Sequence, residues 1–279
     1  MEQINLFDKK KIKANLEADL SSSFKLKIYS SVDSTNNKAK KFVQKYNDNK
    51  VIFAADIQNT GRGRRGHSWF SDDPASLSVS FLYKVSGDLN QIPQITAAAA
   101  LAVNKTLKKF KLEGNLKWPN DILIKNKKIC GILSELIFNK EQEAFVVIGC
   151  GINLNNENFN HEINQLATSY YLETNKKIDK NSFLAELILQ MDYYIQSYLS
   201  QNREKIIDEW KKELKLIGKK VDLTFKGQKY KVQIKDILES GELLVAFDNG
   251  KEKKMQSLYT SLDYQSLLKY NKDNYRERC

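Results

Sequence analysis

The chain has 279 residues, 41% of them hydrophobic, which is enough for one large domain or for a large and a small one. Glycine (12) and proline (3) are too scarce for a disordered or fibrous chain, and no apolar run reaches the roughly 20 residues that cross a bilayer. The net charge of +11 indicates either a solvated lysine-rich surface or an anionic partner, such as nucleic acid, a nucleotide or an acidic protein.

The chain termini and the rarer residues narrow the possibilities further. The opening residues, MEQINLFDKKKIKANLEADL, lack the apolar core of a signal peptide. The cysteines, Cys130, Cys150 and Cys279, lie far apart, which favours reduced thiols and a cytoplasmic protein. Because His67 and His161 are the sole histidines, we expect neither a histidine metal site nor a histidine base. The GxSxG, HExxH and P-loop patterns are absent from the sequence.

Strands and helices alternate in the first part of the chain. Residues 25–29 predict a strand, and Asp33, Ser34 and Thr35 begin a helix. Buried strands follow from Val51 and over 75–84. The alanine-rich segment IPQITAAAALAVNKTLKKF predicts a buried helix. LKWPNDILIKNKKICGILSELIF predicts two strands joined by a turn at Asn126, and AFVVIGCGINLN predicts another strand. Two amphipathic helices, NSFLAELILQMDYYIQSYL and REKIIDEWKKEL, complete this part.

The pattern changes near Leu216 to short alternating strands. Turns are predicted at Lys226-Gly227, Ser240-Gly241 and Asn249-Gly250. A β module of roughly 50 residues has a marginal core of its own. We therefore expect this module to dock against the larger α+β domain.

The most unusual stretch is QNTGRGRRGHSWFS, in which Gly61, Gly63 and Gly66 alternate with three arginines. Arginine offers a planar cationic fork that suits phosphate or carboxylate, and Arg62, Arg64 and Arg65 repel one another unless an anion lies among them. We expect this arginine loop (residues 61–66) to be loose when empty and ordered by an anion. The alternatives are a solvated basic loop and an RGG-like RNA-binding segment, the latter disfavoured because the element occurs once, between two strands.

Three further motifs are weaker taken singly. KWPND places Lys117 and Asp121 around a proline turn, suited to a phosphate and to a metal or hydroxyl. In KKICGILSE, Lys128 precedes Gly131 and is either a snorkelling surface lysine or the partner of a ligand carboxylate. GCGINLN ends a strand in glycines, where a ligand ring could approach the backbone.

The order and spacing of these motifs, from about Phe24 to about Leu262, resemble those of biotin protein ligases. The lipoate ligases share the broad fold but lack the arginine loop. The resemblance implies an α+β fold, in which a mixed β-sheet flanked by helices, of the class II synthetase and biotin-lipoate ligase type, is followed by a small C-terminal β-barrel. The expected domains are an N-terminal extension (1–23), a catalytic biotin- and ATP-binding domain (24–215), the β-barrel (216–270) and a tail (271–279).

Carried over by motif, the resemblance also implies site residues. Lys128, which would contact the biotin carboxylate and the acyl phosphate, and Arg64, which would hold the adenylate, are the expected catalytic residues. The expected biotin-binding residues are Ser34, Thr35, Asn36, Gln58, Gly61, Arg62, Gly63, Arg64, Lys128, Gly131 and Gly151. The expected nucleotide-binding residues are Arg64, Arg65, Gly66, Trp69, Lys117, Asn120 and Asp121. No residue is expected to be a dedicated metal ligand.

The implied activity is ATP-dependent formation of biotinyl-AMP, followed by transfer of biotin to a lysine of the biotin carboxyl carrier protein of acetyl-CoA carboxylase. Fixed cations would offset the clash between carboxylate and phosphate, and Mg²⁺ is expected with ATP. The alternatives are a lipoate or octanoyl ligase or transferase of the same fold, and a basic nucleic-acid-binding protein. The expected enzyme is a monomer or homodimer without a membrane partner.

The sequence departs from the family pattern in three places. His67 stands where arginine is usual, and Asp263 stands where a C-terminal arginine would reach the nucleotide; Lys251, Lys253 and Lys254 are possible substitutes. About two dozen residues precede the first strand, too few for the winged helix that many bacterial members carry. We therefore expect no specific DNA binding.

Overall fold

The computed structural model describes residues 7–86, 92–200, 202–267 and 270. The helices are α1 Lys9–Ala14, α2 Ala18–Ser23, α3 Thr35–Val43, α4 Ile92–Lys109, α5 Tyr170–Thr174, α6 Lys180–Leu199 and α7 Arg203–Leu214. The strands are β1 Lys25–Val32, β2 Val51–Gln58, β3 Ser76–Val85, β4 Asn115–Lys117, β5 Asp121–Ile124, β6 Lys127–Phe138, β7 Ala144–Asn153, β8 Lys220–Phe225, β9 Gln228–Ile237, β10 Leu243–Phe247, β11 Glu252–Met255 and β12 Thr260–Asp263. Across the described ranges, every helix is too short or too polar to span a bilayer.

The first seven strands form one mixed sheet in the order β1-β2-β3-β7-β6-β5-β4. The β1–β2 pair is parallel, and the other pairs are antiparallel. The helical crossover through α3 permits the parallel pair, since parallel neighbours cannot be joined by a tight hairpin. The mixed sheet and its flanking helices confirm the predicted α+β fold.

The two faces of this sheet differ in chemistry because side chains alternate along each strand. On β3, Leu77, Val79 and Phe81 belong to the large hydrophobic core that also contains the buried faces of α4 and α6. The residues between them, Ser76, Ser78 and Ser80, point to the opposite face, which α3 partly covers. Beyond the serines, Leu82 packs in a smaller cluster with α3. The uncovered part of this second face holds the cavity described below.

The last five strands form an antiparallel sheet in the order β11-β10-β9-β8-β12. Its predicted turns are present, with positive φ angles at Lys226, Gly227, Gly241 and Gly250. The sheet contacts the larger one through Trp118, which is 1% exposed. Its indole N–H donates to Gly241 O at 3.0 Å, and its backbone N–H donates to Tyr264 Oη at 2.6 Å.

Two details differ from the sequence-based expectations. The segment from Leu116 to Phe138 forms three strands instead of two, because the three-residue β4 ends at the cis Trp118–Pro119 bond before β5 begins. The N-terminal extension contains α1 and α2, and Ile12 of α1 is fully buried against the core. Residues 1–6 of that extension and the predicted tail 271–279 lie outside the described residues. The domain boundaries themselves stay a prediction.

Candidate active site

A cavity of about 240 Å³ opens on the second face of the central sheet. It is bordered by the start of α3, the arginine loop, the KWPND turn, strands β6 and β7, and the first residues of β12. Of the site residues predicted from the sequence, all line this cavity except Gly61 and Gly66. Segments that are far apart in the chain therefore meet at one place.

A buried polar network forms the end of the cavity nearest α3. The backbone N–H of Thr35 donates to Gln58 Oε1 at 2.8 Å, and the Gln58 amide donates to Ser71 Oγ at 3.0 Å. Ser80 Oγ lies 2.7 Å from Thr35 Oγ1 and 2.6 Å from Asn36 Oδ1. These interactions fix the side chains before a ligand arrives, which lowers the ordering cost of binding. Ser71 and Ser80 were not among the residues predicted from motifs.

The floor of the cavity contains glycines, which lie directly beneath other side chains. A Cβ atom at Gly151 would collide with the Trp69 indole, and one at Gly149 would collide with the Asn36 amide. At Gly131 an added Cβ would lie 2.9 Å from Lys128 Nζ and 3.2 Å from the Trp69 ring. The Trp69 Nε1 atom is buried without a hydrogen-bond partner. An unsatisfied buried donor costs free energy, so the packing of this ring against Gly151 is maintained at the expense of a hydrogen bond.

Lys128 lies at the centre of the cavity wall. Its ammonium group is 2.6 Å from Asp121 Oδ1, an ion pair without the alignment of a hydrogen bond, and 5.4 Å from the centre of the Trp69 ring. Its backbone N–H donates to Leu166 O at 2.7 Å. The bracing segment around Leu166 was not predicted, because its loop sequence carries no motif.

The arginine loop closes one side of the cavity. Trp69 N–H donates to Gly61 O, and a Cβ at Gly61 would collide with the Trp69 carbonyl, so this crossing requires glycine. Gly66 adopts φ +79°, a left-handed conformation that also favours glycine. The Arg64 guanidinium donates to Asn120 Oδ1 at 3.2 Å. Burial, followed by the charge of Arg65, lowers the pKa of Arg64 from its ordinary value. The side chain nevertheless stays cationic at any physiological pH.

The C-terminal sheet also contributes to the cavity, through Thr260, Ser261 and Leu262. Neither Asp263 nor the lysines considered as substitutes for a C-terminal arginine, Lys251, Lys253 and Lys254, lines it. His67 does line the cavity. Other lining residues that the motif transfer missed are Ser68, Trp118, Pro119, Ile132, Leu133, Gly149 and Cys150.

The cavity is strongly cationic. Among the described lining residues, Asp121 is the sole carboxylate, whereas five side chains are cationic. The cationic side chains are those of Arg62, Arg64, Arg65, Lys117 and Lys128. Such a charge balance favours a polyanionic ligand. Cys150 offers no thiolate, because burial raises its pKa to about 12. The described residues contain no cluster of three or more metal-ligating side chains.

Comparison with known proteins agrees with this geometry. Residues 28–153 match the model of the biotin/lipoate A/B protein ligase family. A biotin protein ligase from Aquifex aeolicus, solved in complex with biotin and ATP, has 26% identity and a TM-score of 0.72, over 86% of this chain and 98% of that one.

Curated relatives point the same way. The bifunctional ligase/repressor BirA of Bacillus spizizenii is 30% identical over 61% of this chain and 53% of its own length. The biotin–[acetyl-CoA-carboxylase] ligase of Mycobacterium tuberculosis is 29% identical over 69% of this chain and 72% of its own. The chain spans about half the length of the Bacillus relatives that it matches (53% and 47%). Residues 28–153 therefore resemble the biotin/lipoate A/B protein ligase family, and the fold as a whole resembles that of the Aquifex aeolicus ligase.

Proposed function

We propose that this protein is an ATP-dependent biotin protein ligase, which forms biotinyl-AMP and transfers biotin to a lysine of a biotin carboxyl carrier protein. The observation that carries the proposal is the cavity itself, where a preformed amide and hydroxyl network adjoins five cationic side chains. The similarity to a ligase solved with biotin and ATP supports the same assignment. The residue roles predicted from the motifs are part of this proposal.

In the first step, the biotin carboxylate attacks the α-phosphate of ATP and pyrophosphate leaves. Two anions must approach, so the reaction needs fixed positive charge at the point of contact. Lys128 is suited to this role because its ammonium borders the glycine floor and is already oriented by Asp121. Arg64 is held by Asn120 and would stabilise the adenylate phosphate. The chemistry is mainly positioning and charge stabilisation, so a side-chain nucleophile is not needed.

In the second step, the ε-amine of the carrier lysine attacks the acyl carbon of biotinyl-AMP, and AMP leaves. Water competes for the same carbon, so the mixed anhydride has to be covered. The arginine loop, which contacts Asn120 on one side and the C-terminal sheet on another, would provide that cover.

Mg²⁺ would enter with the nucleotide. Magnesium in nucleotide sites is usually held by substrate phosphates and one or two carboxylates. Asp121 is the carboxylate that this cavity supplies, so the residues fit a metal carried by ATP better than a resident ion. Bound to ATP, the ion would neutralise phosphate charge, in addition to Lys117 and the arginines.

The decisive experiment measures biotin-dependent release of pyrophosphate from ATP, followed by labelling of a carrier domain. Lipoate and octanoate in place of biotin test the lipoate-type alternative. Lys128→Gln should lower kcat/KM for pyrophosphate release by at least about 100-fold, the scale expected for loss of one electrostatic contact to a transition state. Lys127→Gln, at the exposed neighbouring position, is the matched control. Release that does not depend on biotin would refute the proposal.

Retention of the intermediate gives a second test. Arg64→Gly should leave part of adenylate formation intact, while biotinyl-AMP escapes and labels lysines of bystander proteins. Streptavidin blotting of a mixture of carrier domain and albumin measures that escape. If albumin stays unlabelled, the role assigned to Arg64 is wrong.

The nucleic-acid alternative predicts binding that falls steeply with added salt and does not respond to biotin. The cytoplasmic location is likewise a proposal, supported by the buried free thiols of Cys130 and Cys150.

A further inference from the structure

Arg65 donates its side-chain hydrogen bonds to backbone carbonyls of the C-terminal part, whereas Arg64 also donates to Asn120 in the KWPND turn. The Arg65 Nη2 atom donates to Ser257 O at 2.6 Å, in the turn between β11 and β12, and to Thr260 O at 2.7 Å, at the start of β12. Both partners are more than 190 residues away from Arg65 in the sequence. Arg64 reaches the same place, donating to Ser257 O at 2.9 Å and Ser257 Oγ at 3.0 Å. Two consecutive guanidinium groups therefore converge on one short segment.

The local backbone makes this convergence possible. Arg65 has φ 54° and ψ 32°, a left-handed conformation inside a single turn that the His67 N–H closes by donating to Arg64 O at 3.1 Å. Such angles are unfavourable for a residue with a Cβ and persist where surrounding contacts impose them. The hydrogen bonds to Ser257 and Thr260 are contacts of that kind.

Electrostatics favours carbonyl partners at this point. The positive charge of Arg65 is the second cause, after burial, of the lowered pKa of Arg64, so the two groups repel each other. Ser257 O accepts from both guanidinium groups, so the negative end of this carbonyl dipole offsets their repulsion. The receiving segment is itself fixed, because Lys226 N–H donates to Tyr259 O and Thr260 begins β12 opposite Phe225.

We propose that Arg65 is a positioning residue that fastens the arginine loop to the 256–262 segment of the C-terminal sheet. The sequence assigned Arg65 to nucleotide binding, whereas its contacts are with neutral backbone acceptors. The fastening holds Arg64 against Asn120 and keeps Thr260 and Leu262 on the cavity wall.

Hydrogen–deuterium exchange on the full, substrate-free protein tests the fastening directly. In Arg65→Ala, amides of the 256–262 segment should exchange roughly 10-fold faster than in the unmodified protein, since two charge-assisted hydrogen bonds are lost. Arg62→Ala is the matched control, because Arg62 is in the same loop and its recorded bridge is to Ser68. A peptide covering β3 should be unchanged in both variants and shows that the fold is intact.

Two outcomes would overturn the proposal: unchanged exchange at 256–262 in Arg65→Ala, or an equal increase in Arg62→Ala. If Arg65→Ala alters the β3 peptide as well, Arg65→Lys is measured in its place, with a smaller increase expected in the same segment. The catalytic consequence rests on the proposed function. In a protein active in biotin-dependent pyrophosphate release, Arg65→Ala should raise escape of biotinyl-AMP while the KM for biotin changes less than twofold. Faster exchange without ligase activity would sink the proposed function and leave the fastening intact.

Discussion

The two faces of the central sheet have opposite compositions, although the same strands form both. On β3, Leu77, Val79 and Phe81 belong to the same close-packed apolar core as the buried faces of α4 and α6, while Ser78 and Ser80 lie on the sheet face that holds the cavity. On β7 the cavity face carries Gly149 and Gly151 instead of larger residues. A face that binds a ligand gives up apolar burial, and the opposite face must then supply most of the stability.

The apolar side has one charged exception. Lys180, at the start of α6, lies 3.5 Å from Asp56 of β2, and both side chains are less than 10% exposed. The ammonium group also donates to Pro74 O at 2.6 Å and lies 4.4 Å from the centre of the Phe7 ring. This pair ties three segments together behind the cavity.

The largest effect on stability should come from breaking this pair. Lys180→Met removes the donors that the lysine, charged or neutral, offers to buried Asp56 and to Pro74 O, and should lower the free energy of unfolding by roughly 3–5 kcal/mol. The control is Lys177→Met, whose partner Glu157 is more than half exposed, so that solvent screening leaves little stability to lose. Urea denaturation measures both. If the two variants lose similar amounts of stability, the buried ion pair contributes no more to stability than the exposed one.

The pH dependence of stability should carry the signature of the same lysine. Burial lowers the pKa of Lys180 from 10.5 to about 8, an effect that Asp56 and Asp73 partly oppose. Between about pH 8 and 10.5 the unfolded chain keeps a proton that the folded chain has lost, so the contribution to stability rises with pH. The gain is at most about 3 kcal/mol. The contribution of Lys180 is the difference in pH dependence between the unmodified protein and Lys180→Met, measured by thermal melting from pH 7 to 10. If the melting temperatures of the two proteins change in parallel with pH, Lys180 is not the titrating group.

On the cavity face, Gly151→Ala should have a smaller effect on stability and act through one neighbour. The new methyl group would collide with the Trp69 ring, and the displacement should cost roughly 1–3 kcal/mol. In a Trp69→Ala background the same substitution should cost nearly nothing, which a double-mutant cycle measures. If Gly151→Ala lowers the free energy of unfolding equally in both backgrounds, the cost comes from the backbone and not from contact with Trp69. Biotin-dependent pyrophosphate release should fall in Gly151→Ala in either case.

The apolar face was easier to predict from the sequence than the cavity face. Alternation along residues 75–84 and the alanine-rich segment correctly predicted a strand and a buried helix, because core formation depends on periodicity that each segment carries itself. The cavity depends on contacts between distant segments. Leu166 beside Lys128, or Ser257 beside Arg64, has no local signal, since loop and backbone-carbonyl contacts leave little trace in composition. The motif resemblance supplied most of the remaining lining residues.

The smallest expected effects concern two serines of β3, one with a hydrogen-bonded hydroxyl and one whose buried hydroxyl has no partner. Ser80 Oγ contacts Thr35 and Asn36, so Ser80→Ala leaves buried polar partners unsatisfied and should cost about 1–2 kcal/mol. Ser78, two residues earlier and equally buried, has a hydroxyl without a hydrogen-bond partner, so Ser78→Ala should be neutral or slightly stabilising. Both variants remove the same atom from the same face of β3, and urea denaturation without ligands compares them. A larger loss for Ser78→Ala would mean that burial alone, and not the hydrogen-bond network, governs stability on the cavity face.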